Sequence, residues 1–449
     1  MLGCEYNWLV SAPRSPDGLP QIRSSQGAWL TLAVAVACFL CVAAMAEPRH
    51  RTLLREAAAA AQAGDNAVLV ARLEAARDLR PDYPRVLLNL ARAYAATGRP
   101  DDALAQLREL AAMNLAIDVA GDEAFVALRS RPEFSELAGR LAHPNLPAVS
   151  TPPVAGLAGA DGIIEGYAFD AATGVSYFSD VHHRCIWFQP AGGADAVPRR
   201  FSAAADGLLG VFALRLSPDG QTLWASSSAV PEIDGYTADD KGRGFLAEYD
   251  LATGRLTRTH PLPADGRDHV LGDFLLGPDG GAYVTDSSAP VIWRLAPGGG
   301  GLEKWIEQSD FVSLQGLAFS ADGRALLVAD YANGIWRIDL ASRDVTLLPP
   351  PAHRTLFGID GLYAIPGGLV AVQNGLNPQR VLRLALDHRD RPTGAEPVWT
   401  GQPADTDLGL GQLVGGKFEF VGNTGWARYE DPHARPPART VRIEAVALN

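Results

Sequence analysis

A chain of 449 residues with only four cysteines, at positions 4, 38, 41 and 185, has little from which to build a disulfide framework. If the first 46 residues are removed, Cys185 is left alone and no intramolecular bridge is possible, even in an oxidising compartment. Basic residues are also scarce: 39 Lys and Arg stand against 51 Asp and Glu, a net charge of −12. That balance lacks the basic footprint nucleic-acid phosphates require, so no nucleic-acid partner is expected. Absent too are a Gly-Lys-Ser/Thr phosphate loop, a Gly-x-Ser-x-Gly elbow and a His-Glu-x-x-His helix. Their absence disfavours nucleotide hydrolysis, ordinary serine hydrolysis and the common zinc proteolysis. What remains is a globular balance, 47% hydrophobic and 20% charged, with material for two cored domains.

Gly27 to Ala46, "GAWLTLAVAVACFLCVAAMA", carries no charge, follows Arg14 and Arg23, and ends in the small-x-small triplet Ala44-Met45-Ala46. Residues 1–46 are therefore expected to be a signal peptide that directs the protein to the periplasm or outside the cell. The alternative is an uncleaved anchor through residues 27–46, since about 20 apolar residues span a bilayer. That segment is the one expected route to a membrane. Cys185, in "HHRCIWF", reads as a small buried strand residue rather than a reactive thiol.

Residues 47–142 have helical periodicity and are rich in Ala, Leu and Arg. Gly64 and Gly98 lie 34 residues apart, as do Ala57 and Ala91, and Leu73 and Leu107. The second copy, "PRVLLNLARAYAATGRPDDALAQLREL", resembles the tetratricopeptide repeat. Leu87, Leu90, Ala91 and Tyr94 fall on its first helix, Gly98 in its turn, and Ala103 and Leu107 on its second. "FVALRSRPEFSELAGRL" reads as a capping remnant. The resemblance implies either a concave face for a protein or peptide partner, or a structural cap on the neighbouring domain. "HPNLPAVSTPPV", residues 143–154, is a proline-rich linker.

From residue 155 to 449 the period changes to short strands closed by tight turns. Six heads recur: "EGYAFDAATG", "FALRLSPDG", "GDFLLGPDG", "QGLAFSADG", "DGLYAIPGG" and "LGLGQLVGG". Aligning their turn glycines makes Glu165, Phe212, Gly272, Gln315, Asp360 and Leu408 equivalent, at separations of 47, 60, 43, 45 and 48 residues. Each interval suits one four-stranded blade, and the long one contains the polar loop "PEIDGYTADDKGRG". The expected fold is an all-β six-bladed β-propeller preceded by a small all-α tetratricopeptide-like helical domain. Too few strands follow Gly422, so one outer strand of the last blade must come from residues just after the linker.

In a propeller the six equivalent positions converge at the top of the central channel. Three of them carry oxygen donors: Glu165, Gln315 and Asp360, with Asp273 one residue beyond its equivalent position. Two carboxylates, an amide carbonyl and water suit a hard divalent cation, with no thiolate competing. The other reading has these side chains bonding strand-end N–H groups around a wet channel.

"EGYAFDAATGVSYFSD", "QGLAFSADGRALLVAD" and "DGLYAIPGGLVAVQNG" resemble blades of the regucalcin and gluconolactonase family. That resemblance implies a channel cation, Ca2+ first with Mg2+, Mn2+ or Zn2+ as alternatives, polarising a sugar-lactone carbonyl for attack by water. Its metal ligands carry over to Glu165, Gln315 and Asp360, with glutamine where the family has asparagine. An Asn-Asp pair of the family is replaced by Gly272-Asp273. Asp360 or Asp273 would position the water, and His182, His269 and Phe212 are placed at the channel mouth. Two functions follow as expectations. One is a metal-dependent hydrolase of a small lactone or ester. The other is a non-catalytic platform whose helical repeats bind a protein partner.

Overall fold

The computed structural model describes residues 49–147, 152–192, 197–401, 404–431 and 433–448. The expected signal or anchor segment lies outside the described residues, among which no helix is long and apolar enough to cross a membrane.

Two helical hairpins open the fold: α1 (Arg49–Ala63) with α2 (Asn66–Leu79), and α3 (Pro84–Ala96) with α4 (Pro100–Ala112). Gly64 and Gly98 sit in the two turns at φ of 70° and 72°, a left-handed conformation that glycine adopts without steric cost. The 34-residue period is thus the period of the turns. Leu87, Leu90, Ala91, Leu104 and Leu107 are sealed between the hairpins. The third unit is reduced to a 3-10 turn (Glu123–Leu128) and α5 (Pro132–Ala142), whose Phe125 and Phe134 close the end of this core.

Among the described residues the rest of the chain forms six antiparallel four-stranded sheets. Five are built in sequence: β2–β5 (167–200), β6–β9 (210–261), β10–β13 (271–307), β14–β17 (314–347) and β18–β21 (359–400). The sixth comprises β22 (Gly411–Val414), β23 (Lys417–Val421) and β24 (Arg439–Ala447), with β1 (Ala155–Ala160) as its outer strand. The ring therefore closes as the shortage of strands after Gly422 requires. Second strands such as Ala325–Asp330 are buried at every position, because adjacent blades cover both faces; hence their unbroken apolar runs. Outer strands such as Arg255–Pro261 are largely exposed and correspondingly polar. The polar loop of the second blade joins β7 to β8.

The seam depends on Leu157, which is buried against Tyr167, Phe178, Val441 and Ile443. Leu157→Asp places a carboxylate there without a partner. It is expected to lower the unfolding free energy by about 3 kcal/mol or more, read by urea denaturation of the full chain.

The helical domain docks on the propeller beside the fourth and fifth blades. Tyr83 stacks on Phe357 with ring centroids 4.1 Å apart, and Arg80 lies over the same ring while donating to Asn333 Oδ1 at 3.2 Å. Leu376, in the loop after β19, packs against the helical core. The Ala116 N–H donates to Asn377 O at 2.8 Å, and Arg380 donates to the carbonyls of Met113 (3.2 Å) and Asn114 (3.1 Å). Every propeller residue in these contacts belongs to a loop or strand end on the face where the inner strands begin.

Candidate active site at the channel mouth

In blades one to five the second strand closes at its channel end on a polar residue, Asp180, Ser228, Asp286, Asp330 and Gln373. In the first, third and fourth blades this is an aspartate that accepts from an indole of the third strand. The pairs are Asp180 with Trp187 (3.0 Å), Asp286 with Trp293 (3.1 Å) and Asp330 with Trp336 (3.0 Å). These tryptophans are structural. In the fifth blade Gln373 stands in place of the aspartate and Leu382 in place of the tryptophan, and Arg380, directly opposite Gln373, donates from Nε to its Oε1 at 2.6 Å. That guanidinium then reaches the helical domain.

Neighbouring blades are stitched around the channel at their inner-strand heads. The Ser179 hydroxyl donates to Phe212 O at 2.6 Å, and Leu271 N–H to Ser228 Oγ at 2.8 Å. Asn374 Nδ2 donates to Leu408 O at 2.8 Å, and Leu410 N–H to Glu165 O at 2.8 Å. The inner strands of blades two to five also carry register breaks, between Val211 and Leu214, Leu271 and Phe274, Leu314 and Leu317, and Ile359 and Gly361. The equivalent positions Phe212, Gly272, Gln315 and Asp360 all fall inside these bulges, which re-aim side chains out of the sheet.

Glu165, Asp360 and Asp407 come from blades one, five and six, which are consecutive around the ring, and form an acidic arc. Burial pushes Glu165 well above the usual carboxylate range, the charges of Asp360 and Asp407 add to the rise, and the Trp426 indole bonded to its Oε2 opposes it. Burial also raises Asp360, to about 7. Asn374, donating to its Oδ2 at 2.7 Å, opposes this, while Asp273 and Asp407 add to it. Burial is the leading cause of both rises, and the charge of Asp360 adds to that of Glu165. Asp407 accepts from the backbone N–H groups of Gly425 (3.0 Å) and Trp426 (3.1 Å), which holds the indole on Glu165. Phe212 is buried and stacks on Trp426, with centroids 6.1 Å apart. Burial and the same three carboxylates raise the Tyr331 phenol, keeping it a donor.

The remaining sequence-selected residues are placed differently. Asp273 faces the channel side but is bound bidentately by Arg215, at 2.7 and 2.9 Å, and lacks the freedom the water-positioning role asked of it. Gln315 turns its Oε1 to the Ser287 hydroxyl (3.1 Å) and its Nε2 to Ser313 Oγ (3.0 Å). His269 is buried between Asp286 (2.6 Å) and Asp265 (2.8 Å). Burial opposes charging of this imidazole, but the two carboxylates prevail and hold its pKa above the ordinary value, so it is a bridge rather than a base. His182 donates from Nδ1 to Glu232 O at 2.6 Å and lies 4.2 Å from the Tyr429 ring. It lines a separate hollow of about 230 Å³ with Asp161, His183 and Asp234.

Sequence reasoning missed Arg215, Asp407, Trp426 and Tyr331. Arg215 had a signal, a lone cation within the apolar inner strand "FALRL". Asp407 stands one residue before an aligned position, whereas Trp426 opens a short 3-10 helix and Tyr331 lies in a turn, neither marked by the repeat.

Among the described residues no three His, Cys, Asp or Glu side chains gather into a metal site by themselves. A hard cation would therefore need an amide oxygen. Asn374 supplies one: its Oδ1 is buried and has no hydrogen-bond partner, although its Nδ2 is bonded twice. Glu165, Asp360 and Asn374 thus form an all-oxygen donor set that fits such an ion.

Residues 54–120 match the family model of the tetratricopeptide repeat. No curated protein matches the chain in sequence. Solved structures similar to it include the PQQ-bound aldose sugar dehydrogenase of Streptomyces coelicolor, at 14% identity and a TM-score of 0.44, covering 67% of this chain and 100% of that one. Another is a candidate gluconolactonase, at 19% identity and 0.42, covering 71% and 98%. A third is an inactive virginiamycin B lyase of Staphylococcus aureus with quinupristin, at 16% and 0.39, covering 59% and 93%. At these identities and scores none of the three bears on the chemistry of this chain, which is that of a six-bladed propeller following tetratricopeptide helices.

Proposed function

We propose that the protein is an exported hydrolase of a small lactone or ester, working with a divalent cation, Ca2+ first, at the channel mouth. The observation that carries this reading is the pair of buried carboxylates Glu165 and Asp360 beside the unpartnered Asn374 Oδ1. Glu165, Asp360 and Asn374 would hold the ion, which when bound supplies a Lewis acid for a carbonyl oxygen. Asn374 fixes Asp360 through Oδ2, leaving Oδ1 to orient an attacking water and take its proton. Tyr331 serves as a neutral donor at the edge of the site. Phe212 and Trp426 exclude water from the side of Glu165.

The test is hydrolysis of γ-butyrolactone and simple esters by the purified protein with chelator, with Ca2+, and in the Asp360→Asn variant. Cation-dependent turnover that falls at least about 100-fold in the variant supports the reading. Turnover indifferent to both would sink it. The engagement of both Gln315 amide atoms by serines favours a second reading, a non-catalytic platform in which the cation is structural and no turnover occurs.

A further inference from the structure

Between the docked helical domain and the propeller lies a cleft of about 390 Å³, within the size range of small-molecule sites, which favour domain interfaces. Its two walls differ in chemistry. The helical side is apolar: Pro84 at the start of α3, and Leu115, Ala116 and Ile117 in the segment after α4. Leu376 extends this wall from the propeller. The opposite end is polar and belongs to the channel, being formed by Tyr331 and Asn374, the same residues that adjoin the acidic arc. The walls are held in register. Ala116 N–H is fixed to Asn377 O and Ile117 N–H to Leu141 O (2.9 Å), and Gly375 leaves the floor open. A Cβ there would lie 2.6 Å from the Tyr331 ring and from Gly358 Cα.

The charge of the site restricts the occupant. Among the described residues no cationic side chain donates to Glu165, Asp360 or Asp407: Arg215 is bound to Asp273, and Arg439, whose charge reaches Asp407, donates to the carbonyls of Gly162, Asn423 and Thr424. With divalent ions chelated, as in the titrations below, an anionic head is repelled and a neutral one fits.

We infer that the helical domain is the specificity wall of the site. The cleft takes a neutral lactone or ester bearing a medium-length apolar chain, with the ring toward Asn374 and Tyr331 and the chain against Pro84, Leu115, Ile117 and Leu376. The choice of lactone or ester rests on the hydrolytic reading above, whereas the chain preference rests on the cleft alone. On this account the tetratricopeptide helices act within the molecule, as half of a ligand site.

The test uses γ-lactams, which resist hydrolysis, carrying a methyl or a hexyl substituent, titrated calorimetrically into the full protein with divalent ions chelated. Each buried methylene contributes up to about fourfold in affinity, so the hexyl compound should bind at least about 30-fold more tightly. Decanoate, with a comparable chain and an anionic head, should bind more weakly than the hexyl lactam. Ala116→Trp fills the cleft while keeping its backbone bond, and should erase the chain preference but leave the methyl lactam unaffected. Ile117→Asn should weaken the preference in the same direction, and decides the matter if thermal melting shows the tryptophan variant to be misfolded. Equal binding of the two lactams, or a preference that survives the folded variants, overturns the inference. Lactone turnover measured in parallel separates the claims. Turnover without chain preference removes the wall and leaves the hydrolase. Chain-dependent lactam binding without turnover removes the hydrolase and leaves the wall.

Discussion

With divalent ions chelated at pH 8, Asp360→Asn is expected to be more stable than the wild type, and with Ca2+ in excess the order should reverse. Asp360 has a folded-state pKa of about 7, raised first by burial and further by Asp273 and Asp407 against the opposing bond from Asn374. A carboxyl whose pKa is higher in the folded than in the unfolded protein keeps the folded state favoured at low pH. That advantage is lost as pH rises from the ordinary value near 4 to about 7. Above pH 7 the full cost is present, on the order of 4 kcal/mol at most and shared with Glu165. Asparagine carries no charge and removes it, so the variant should gain over the wild type at pH 8 and much less at pH 4. A cation bound by Glu165 and Asp360 offsets the same repulsion. At a thousandfold excess over its dissociation constant it stabilises the wild type by about 4.1 kcal/mol and the variant hardly at all, enough to reverse the order. Thermal melts at two pH values, with chelator or Ca2+, give all four comparisons. A variant less stable than the wild type under chelation would show that Asp360 is held by bonds rather than strained by charge.

The second large effect concerns Arg380. It is almost wholly buried, and its guanidinium binds Gln373, Met113 and Asn114, all through neutral oxygens. Burial, with a contribution from Arg354, lowers its pKa to about 10, so it stays charged at neutral pH. Arg380→Ala strands three buried acceptors and should cost about 3 kcal/mol or more. The loss should appear at the interface, as a helical domain that melts before the propeller and as faster amide exchange at Leu115–Ile117. The triple variant Gln373→Asp, Arg380→Val, Leu382→Trp installs the Asp–Trp anchor of the third blade, in which Val291 precedes Trp293 by two residues. It should keep the blade stable while releasing the helices, separating docking from blade integrity.

The repeating parts of the fold were legible because they are local. Gly64 and Gly98 mark the same turn twice, and the blade heads repeat their strand, turn and closing polar residue within a few positions. Convergence of Glu165 and Asp360 followed from that symmetry. What broke the symmetry stayed hidden. Asp273 meets Arg215 across 58 residues, and Arg80 meets Asn333 across 253. Neither pairing has a local spacing to betray it. The docking site shows itself only as Gln373 and Leu382 standing where three other blades have Asp and Trp, with Arg380 opposite the glutamine, a departure that acquires meaning once the tryptophan bonds are seen. Asn374 stands one residue beyond the end of its strand, and its unpartnered oxygen is a property of three-dimensional surroundings.

The pairing of β1 with β24 gives the molecule a test of its own completeness. Until the chain has been made beyond Arg439, the strand at Ala155–Ala160 has no mate, and the ring stays an open arc with bare edges at both ends. Every product of stalled synthesis or of C-terminal clipping therefore carries an exposed strand edge, the feature that aggregation and quality control both recognise. A finished chain hides that mark by joining one of its earliest strands to its last.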